Sequence, residues 1–156
     1  MKKGDRILLD EEGNKYLVKL ADGELHTDLG VVDLGEVIGK DPGDRVESHL
    51  GNEFVVLLPS PIDYLQKIKR KSQIILPKDA AQIVAHTGVG PGNHVVDAGA
   101  GSGALAIFLG NLVRPNGWVI SYEIRKDFAK VAKENIEMSG LGDIVEVKIE
   151  NVYEGI

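Results

Sequence analysis

At 156 residues, 43% of them hydrophobic, the chain can bury a core for one domain, or for one small domain and part of another. Eighteen basic against 24 acidic residues leave a net charge of −6, which excludes a generic nucleic-acid binder, because phosphate binding needs clustered Lys and Arg. The absence of cysteine excludes disulfides and thiolate metal sites, and no apolar stretch is long enough to span a membrane. The start Met1-Lys2-Lys3-Gly4-Asp5 has no apolar run behind it and does not resemble a signal peptide, so a cytoplasmic location is expected.

Residues 1–60 are expected to form a small all-β domain. Its strands are read at Arg6–Leu9, Lys15–Leu20, Glu24–Asp28, Gly35–Gly39 and Glu53–Pro59, with turns at Glu12-Gly13-Asn14, Ala21-Asp22-Gly23 and Asp41-Pro42-Gly43-Asp44. Short strands punctuated by Gly and Asp predict a small barrel or sandwich. Pro59-Ser60-Pro61 marks a boundary, and residues 61–78 read as a linker and basic segment. Within it Ile62–Ile68 is expected as a short helix, with Ile62, Leu65 and Ile68 on one side. The basic run Lys67, Lys69, Arg70 and Lys71 reads either as solvated linker or as a patch facing a polyanion.

From residue 79 to 156 the apolar period changes. Asp79 is expected to cap a helix with Ala80, Ile83, Val84 and Thr87 on one face, stopped by Gly88. A strand follows over Asn93–Asp97, then a helix from Gly103 to Val113 broken by Pro115-Asn116-Gly117. Trp118–Tyr122 is the next strand. Arg125–Ser139 is an amphipathic helix with Phe128, Val131, Ala132 and Ile136 inward, and Gly140 suits the left-handed position that ends it. Ile144–Ile149 is a third strand. This alternation predicts an α/β unit with a parallel sheet and right-handed crossovers. Parallel sheets want neighbours on both edges, so three strands suggest part of a larger sheet, and a chain that is truncated or completed by another polypeptide.

The candidate site is the turn between the first two of these strands. Gly99, Gly101 and Gly103 alternate after Asp97 and open a helix, and Glu123 stands at the tip of the following strand. This order builds a pocket for an adenosine-containing cofactor. A nicotinamide or flavin dinucleotide is one reading, since Gly99, Gly101 and Ala104 satisfy its glycine pattern. Asp97 argues against it, because a carboxylate before the turn would face a pyrophosphate. The same carboxylate suits S-adenosylmethionine: Asp97 would hold its ammonium, Glu123 its ribose hydroxyls, and the helix N-terminus near Ser102 its carboxylate. Ile124 would lie on the adenine face and Asn151 would bond the adenine edge.

Several segments then resemble the tRNA (adenine-N1) methyltransferases that modify an adenine of the T-loop, a branch of the class I S-adenosylmethionine-dependent methyltransferases. The most specific is Lys69-Arg70-Lys71-Ser72-Gln73-Ile74-Ile75-Leu76-Pro77-Lys78-Asp79-Ala80-Ala81-Gln82-Ile83, similar to the segment that leads into that family's first Rossmann helix. Glu123-Ile124-Arg125-Lys126-Asp127-Phe128, Phe54–Pro59 and Val152–Ile156 are similar to further pieces. The resemblance implies a Rossmann-like domain behind a β domain and methylation of N1 of adenine in tRNA. It also implies a cofactor held by Gly101, Ser102, Gly103, Ala104, Leu105 and Glu123, with Gln73 close by, and a homo-oligomer, commonly a tetramer. Asn151 departs from it, standing where the family usually has an aspartate. The family's catalytic aspartate follows a fourth strand and is expected beyond residue 156, so no catalytic residue is assigned and the chain alone is expected not to turn over. Lys67, Lys69, Arg70 and Lys71 are the expected tRNA contacts.

A protein methyltransferase acting on isoaspartyl carboxylates is the alternative enzyme, and a non-catalytic cofactor- or tRNA-binding subunit the alternative outside catalysis. His26, His49, His86 and His94 have no metal-ligand spacing, so no metal is expected.

Overall fold

The computed structural model describes residues 4–71 and 73–154; Ser72, Gly155 and Ile156 of the resembling segments lie outside the described residues. By internal contact the chain divides into two units, one up to Asp63 and one from Tyr64.

In the first unit β1 (Asp5–Leu9) and β2 (Lys15–Lys19) form a hairpin. Its turn is organised by Asp10, whose carboxylate accepts from the Glu12 and Asn14 N–H groups and from the Tyr16 hydroxyl. These bonds replace the ladder that the turn interrupts. β3 (Glu24–Thr27) pairs with β4 (Gly30–Asp33), and β5 (Arg45–Glu47) with β6 (Glu53–Leu57). The four-stranded antiparallel order is β2-β1-β6-β5. Leu8, Val18, Val32, Val46, Phe54 and Val56 fill the core, as period-two alternation requires.

Two expectations change here. Gly35–Gly39 is not a strand: the Asp33 carboxylate accepts the Gly35 N–H at 2.8 Å and starts a 3-10 turn over Leu34–Val37 that buries Val37. The neighbouring strands β4 and β5, of four and three residues, carry too little pattern to be read from sequence. At the other end, the expected helix over Ile62–Ile68 is a 3-10 helix over Pro61–Gln66.

The second unit contains α1 (Pro77–Thr87), β7 (His94–Ala98), α2 (Ala104–Val113), β8 (Trp118–Tyr122), α3 (Lys126–Met138) and β9 (Val145–Lys148). Helix α1 starts at Pro77, not at a cap by Asp79, because proline is preset for the first helical turn; Asp79 lies within that turn. Gly88 ends α1 in the left-handed conformation, as expected. Of the face assigned to α1, Ala80 is buried, Ile83 and Val84 are half-buried and Thr87 is exposed.

The sheet is parallel throughout, in the order β7-β8-β9. Helix α2 packs so closely that a Cβ on Gly110 would lie 2.5 Å from the Val145 side chain. Its buried face (Ala106, Ile107, Leu109, Val113) meets Val119, Val145 and Val147 in the core. Leu65, Ile68 and Ile74, from the stretch read as linker, join this core. On α3 the most buried positions are Ala129, Ala132, Asn135 and Ile136, while Phe128 and Val131 are only half-buried. The apolar stripe is rotated toward small residues because the helix approaches its neighbours closely there. No helix among the described residues is long and apolar enough to cross a membrane.

Candidate functional site

Parallel pairing brings the strand tips together. Asp97 is opposite Ser121, and Ala98 opposite Tyr122, so Glu123 leaves β8 where the glycine turn leaves β7. The turn folds back over β8, with the Gly99 and Ala100 N–H groups both donating to the Tyr122 carbonyl at 2.8 and 2.9 Å. Gly99, Gly101 and Gly103 have φ of 99°, 54° and 81°, the left-handed region that side chains avoid. Gly103 carries a second demand: a Cβ there would sit 3.3 Å from the Ala132 backbone on α3.

Glu123 is the hub. It is 8% exposed, accepts from the Gly101 N–H through Oε2 and from the Arg125 N–H through Oε1, both at 3.0 Å. Each carboxylate oxygen keeps a second acceptor position, so the side chain can hold the turn and still receive two hydroxyls. The Glu123 N–H in turn donates to the Lys148 carbonyl, which joins the tips of β8 and β9.

A cleft of about 440 Å³ opens over these tips, lined by Ala98, Gly99, Tyr122, Glu123, Ile124, Arg125, Glu150, Asn151, Val152 and Tyr153. Of the residues proposed from sequence, Gly99, Glu123, Ile124 and Asn151 meet in this wall. Ile124 is 67% exposed and offers an apolar surface. Asn151 caps the short 3-10 turn Val152–Glu154, accepting from the Tyr153 N–H and donating to Glu154, each at 3.1 Å. The Arg125 guanidinium stacks on the Phe128 ring, 3.4 Å from its centre.

The other proposed residues lie elsewhere. Asp97 is outside the cleft wall; its carboxylate accepts the Ser121 hydroxyl at 2.6 Å. Burial pushes the Asp97 carboxyl above the usual range, the Ser121 bond opposes this, and the charge of Glu123 adds to it. The Ser102 hydroxyl is buried and accepts the Lys71 N–H at 3.1 Å. Ala104 is buried in the core and Leu105 packs against it. Gln73 is exposed, between Lys71 and α1. In the basic run, Lys69 pairs with Glu134 and Lys71 with Asp127, each at 2.7 Å, while Arg70 and Lys67 are exposed. These two pairs tie Lys69 and Lys71 to acids of α3.

One residue that braces this region was not visible in the sequence. Asn135 on α3 is 2% exposed, and its amide binds both the Lys69 backbone and the Ser102 carbonyl. The only local signal was a polar residue inside an apolar stripe.

Comparison with known proteins gives consistent results. The chain is 42% identical over 131 residues to a tRNA (adenine(57)-N(1)/adenine(58)-N(1))-methyltransferase TrmI of Methanocaldococcus jannaschii, covering 84% of this chain and 45% of that protein. Among solved structures, a SAM-dependent O-methyltransferase from Thermotoga maritima superposes with a TM-score of 0.79 at 38% identity, covering 98% of this chain and 58% of that one. A tRNA (m1A58) methyltransferase TrmI from Aquifex aeolicus superposes with a TM-score of 0.79 at 28% identity, covering 97% and 59%. The chain thus spans about half the length of these proteins, and the two superpositions bear out the expected Rossmann-like α/β class. Residues 53–155 match the family model described as tRNA methyltransferase complex GCD14 subunit, and the chain belongs to that family.

Proposed function

We propose that this chain carries the methyl-donor half of an S-adenosylmethionine-dependent enzyme that methylates N1 of adenine in the T-loop of tRNA. The observation that carries the reading is Glu123: a carboxylate at the tip of β8, already bonded to the glycine turn, facing a cleft with acceptor capacity left over. The cleft wall includes a second acid, Glu150, and Asp97 lies next to the turn. This acidic surrounding disfavours a pyrophosphate and favours a ligand carrying an ammonium and a sulfonium. When bound, S-adenosylmethionine supplies a methyl group made electrophilic by its sulfonium.

Within this chain, Glu123 receives the ribose hydroxyls and Ile124 covers one face of the adenine. Asn151, which holds the 3-10 turn of the cleft wall, presents its amide to the adenine edge. The field of Asp97 and Glu123 favours the cationic methionine end. The target base is brought by tRNA, whose phosphates meet the exposed basic run Lys67, Lys69, Arg70 and Lys71.

Titration with S-adenosylmethionine and with NAD, on wild type and Glu123→Ala, tests the cofactor. Saturable binding of the first, lost in the variant, supports the reading; preferential binding of NAD overturns it. Transfer of labelled methyl to tRNA by the whole protein, set against an isoaspartyl peptide, tests the acceptor. Labelling of the peptide and not of tRNA adenine would overturn the tRNA assignment.

A further inference from the structure

The glycine turn is held from two sides, and neither hold was read from the sequence. On the β8 side Glu123 accepts the Gly101 N–H. On the α3 side the hold is Asn135. Its Oδ1 accepts the Lys69 N–H at 3.0 Å, and its Nδ2 donates to the Lys69 carbonyl at 3.0 Å and the Ser102 carbonyl at 2.8 Å. One donor and two acceptors surround the amide, so only this orientation of the side chain satisfies it. Ser102 completes the arrangement, its hydroxyl accepting the Lys71 N–H at 3.1 Å. Both side chains are buried, at 2% and 3% exposure.

A buried amide that uses both donors and its acceptor on backbone groups of two distant segments is a rigid connection. Here it connects α3, the 69–71 segment and the turn that opens α2. Ala132, on the same face of α3 three residues earlier, is the backbone against which Gly103 rests.

We infer that Asn135 is a positioning residue for the cofactor site: it presets the glycine turn and fastens the 69–71 segment beside it, so that binding in the cleft depends on a side chain that does not line it. The inference rests on the cofactor reading above. Its consequence is coupling: a ligand that settles on the preset turn makes opening of the 69–71 segment rarer, and loosening that segment weakens the ligand.

The test is amide exchange and titration with S-adenosylhomocysteine on the full chain. In wild type, saturating ligand is expected to slow exchange of the Lys69 and Lys71 amides together with that of Gly101. Asn135→Ala and Ser102→Ala are expected to abolish that joint protection and to weaken the ligand by about tenfold or more for Asn135→Ala, with a smaller loss for Ser102→Ala. Ile107 and Ile136 amides that stay slow show the core intact in each variant. Protection of Gly101 without Lys69 and Lys71 in wild type overturns the positioning role, even if Asn135→Ala does not fold. So does a folded Asn135→Ala that melts lower but binds as wild type does. No binding by wild type at all is a different failure, which removes the cofactor reading and the positioning role with it.

Discussion

Replacing Glu123 by Gln separates its two roles. The side chain is nearly isosteric and buried at 8% exposure, so little is lost in packing. The amide keeps one acceptor, and its NH2 group must then face either the Gly101 or the Arg125 N–H, both now bonded at 3.0 Å. A hydrogen bond to a charged group is worth about 1.5–3 kcal/mol, and a donor facing a donor recovers none of it. Unfolding in urea, followed by the single tryptophan, Trp118 on β8, should therefore show the second unit destabilised by about 1.5–3 kcal/mol. Affinity needs a finer comparison, because a displaced turn would weaken any ligand. Titrating wild type and Glu123→Gln with S-adenosylhomocysteine and with its 2′,3′-dideoxy form closes a cycle. If Glu123 receives the ribose hydroxyls, the penalty is larger for the hydroxylated ligand, by a coupling of about 1.5–3 kcal/mol, or roughly 10- to 150-fold in Kd. An equal penalty for both ligands would refute the ribose role and leave Glu123 as a support of the turn.

Asp97 binds more protons folded than unfolded, because its carboxyl is raised by burial and by Glu123 against the Ser121 bond. Its contribution to stability is therefore fullest below the ordinary carboxylate value and is lost as pH rises through the raised one. Asp97→Asn should gain thermal stability relative to wild type as pH rises above the ordinary carboxylate value of about 4, while losing affinity for S-adenosylmethionine; a difference in melting temperature that shrinks with rising pH would contradict this. Gly103→Ala must place a Cβ at φ 81° and 3.3 Å from the Ala132 backbone, so urea unfolding should show a loss of about 1–2 kcal/mol or more, and an unchanged midpoint would refute the close approach. In tRNA binding, Arg70→Ala should lower the slope of log affinity against log salt by roughly one, while Glu134→Ala should steepen it by releasing Lys69; the opposite order would exclude this surface from the interface.

Much of the second unit was legible because its signals are local. Trp118–Tyr122 is a strand at the residues read, α2 and α3 begin and end within a residue of expectation, and Gly88 stops α1. The turn and its acid were legible for the same reason, since glycine is the residue for positive φ and a strand tip is found by counting. The small β unit was read less well. Strand β5 has three residues, and the 3-10 turn after Asp33 depends on one side chain bonding a backbone N–H. At the start of α1, the preset φ of Pro77 outweighed the capping tendency of Asp79.

By itself the sequence determined the order of elements in the second unit, the glycine turn and the carboxylate that faces it, all legible from local pattern. Tertiary structure alone decided what each side chain spends its hydrogen bonds on. Asp97 is given to Ser121, Ser102 to Lys71, and Asn135 to Lys69, partners 24, 31 and 66 residues away. Half of the basic run is given to acids on α3. No periodicity records such pairings, because they come into existence only when burial removes water and each polar group must find an acceptor or donor in whatever segment packs against it.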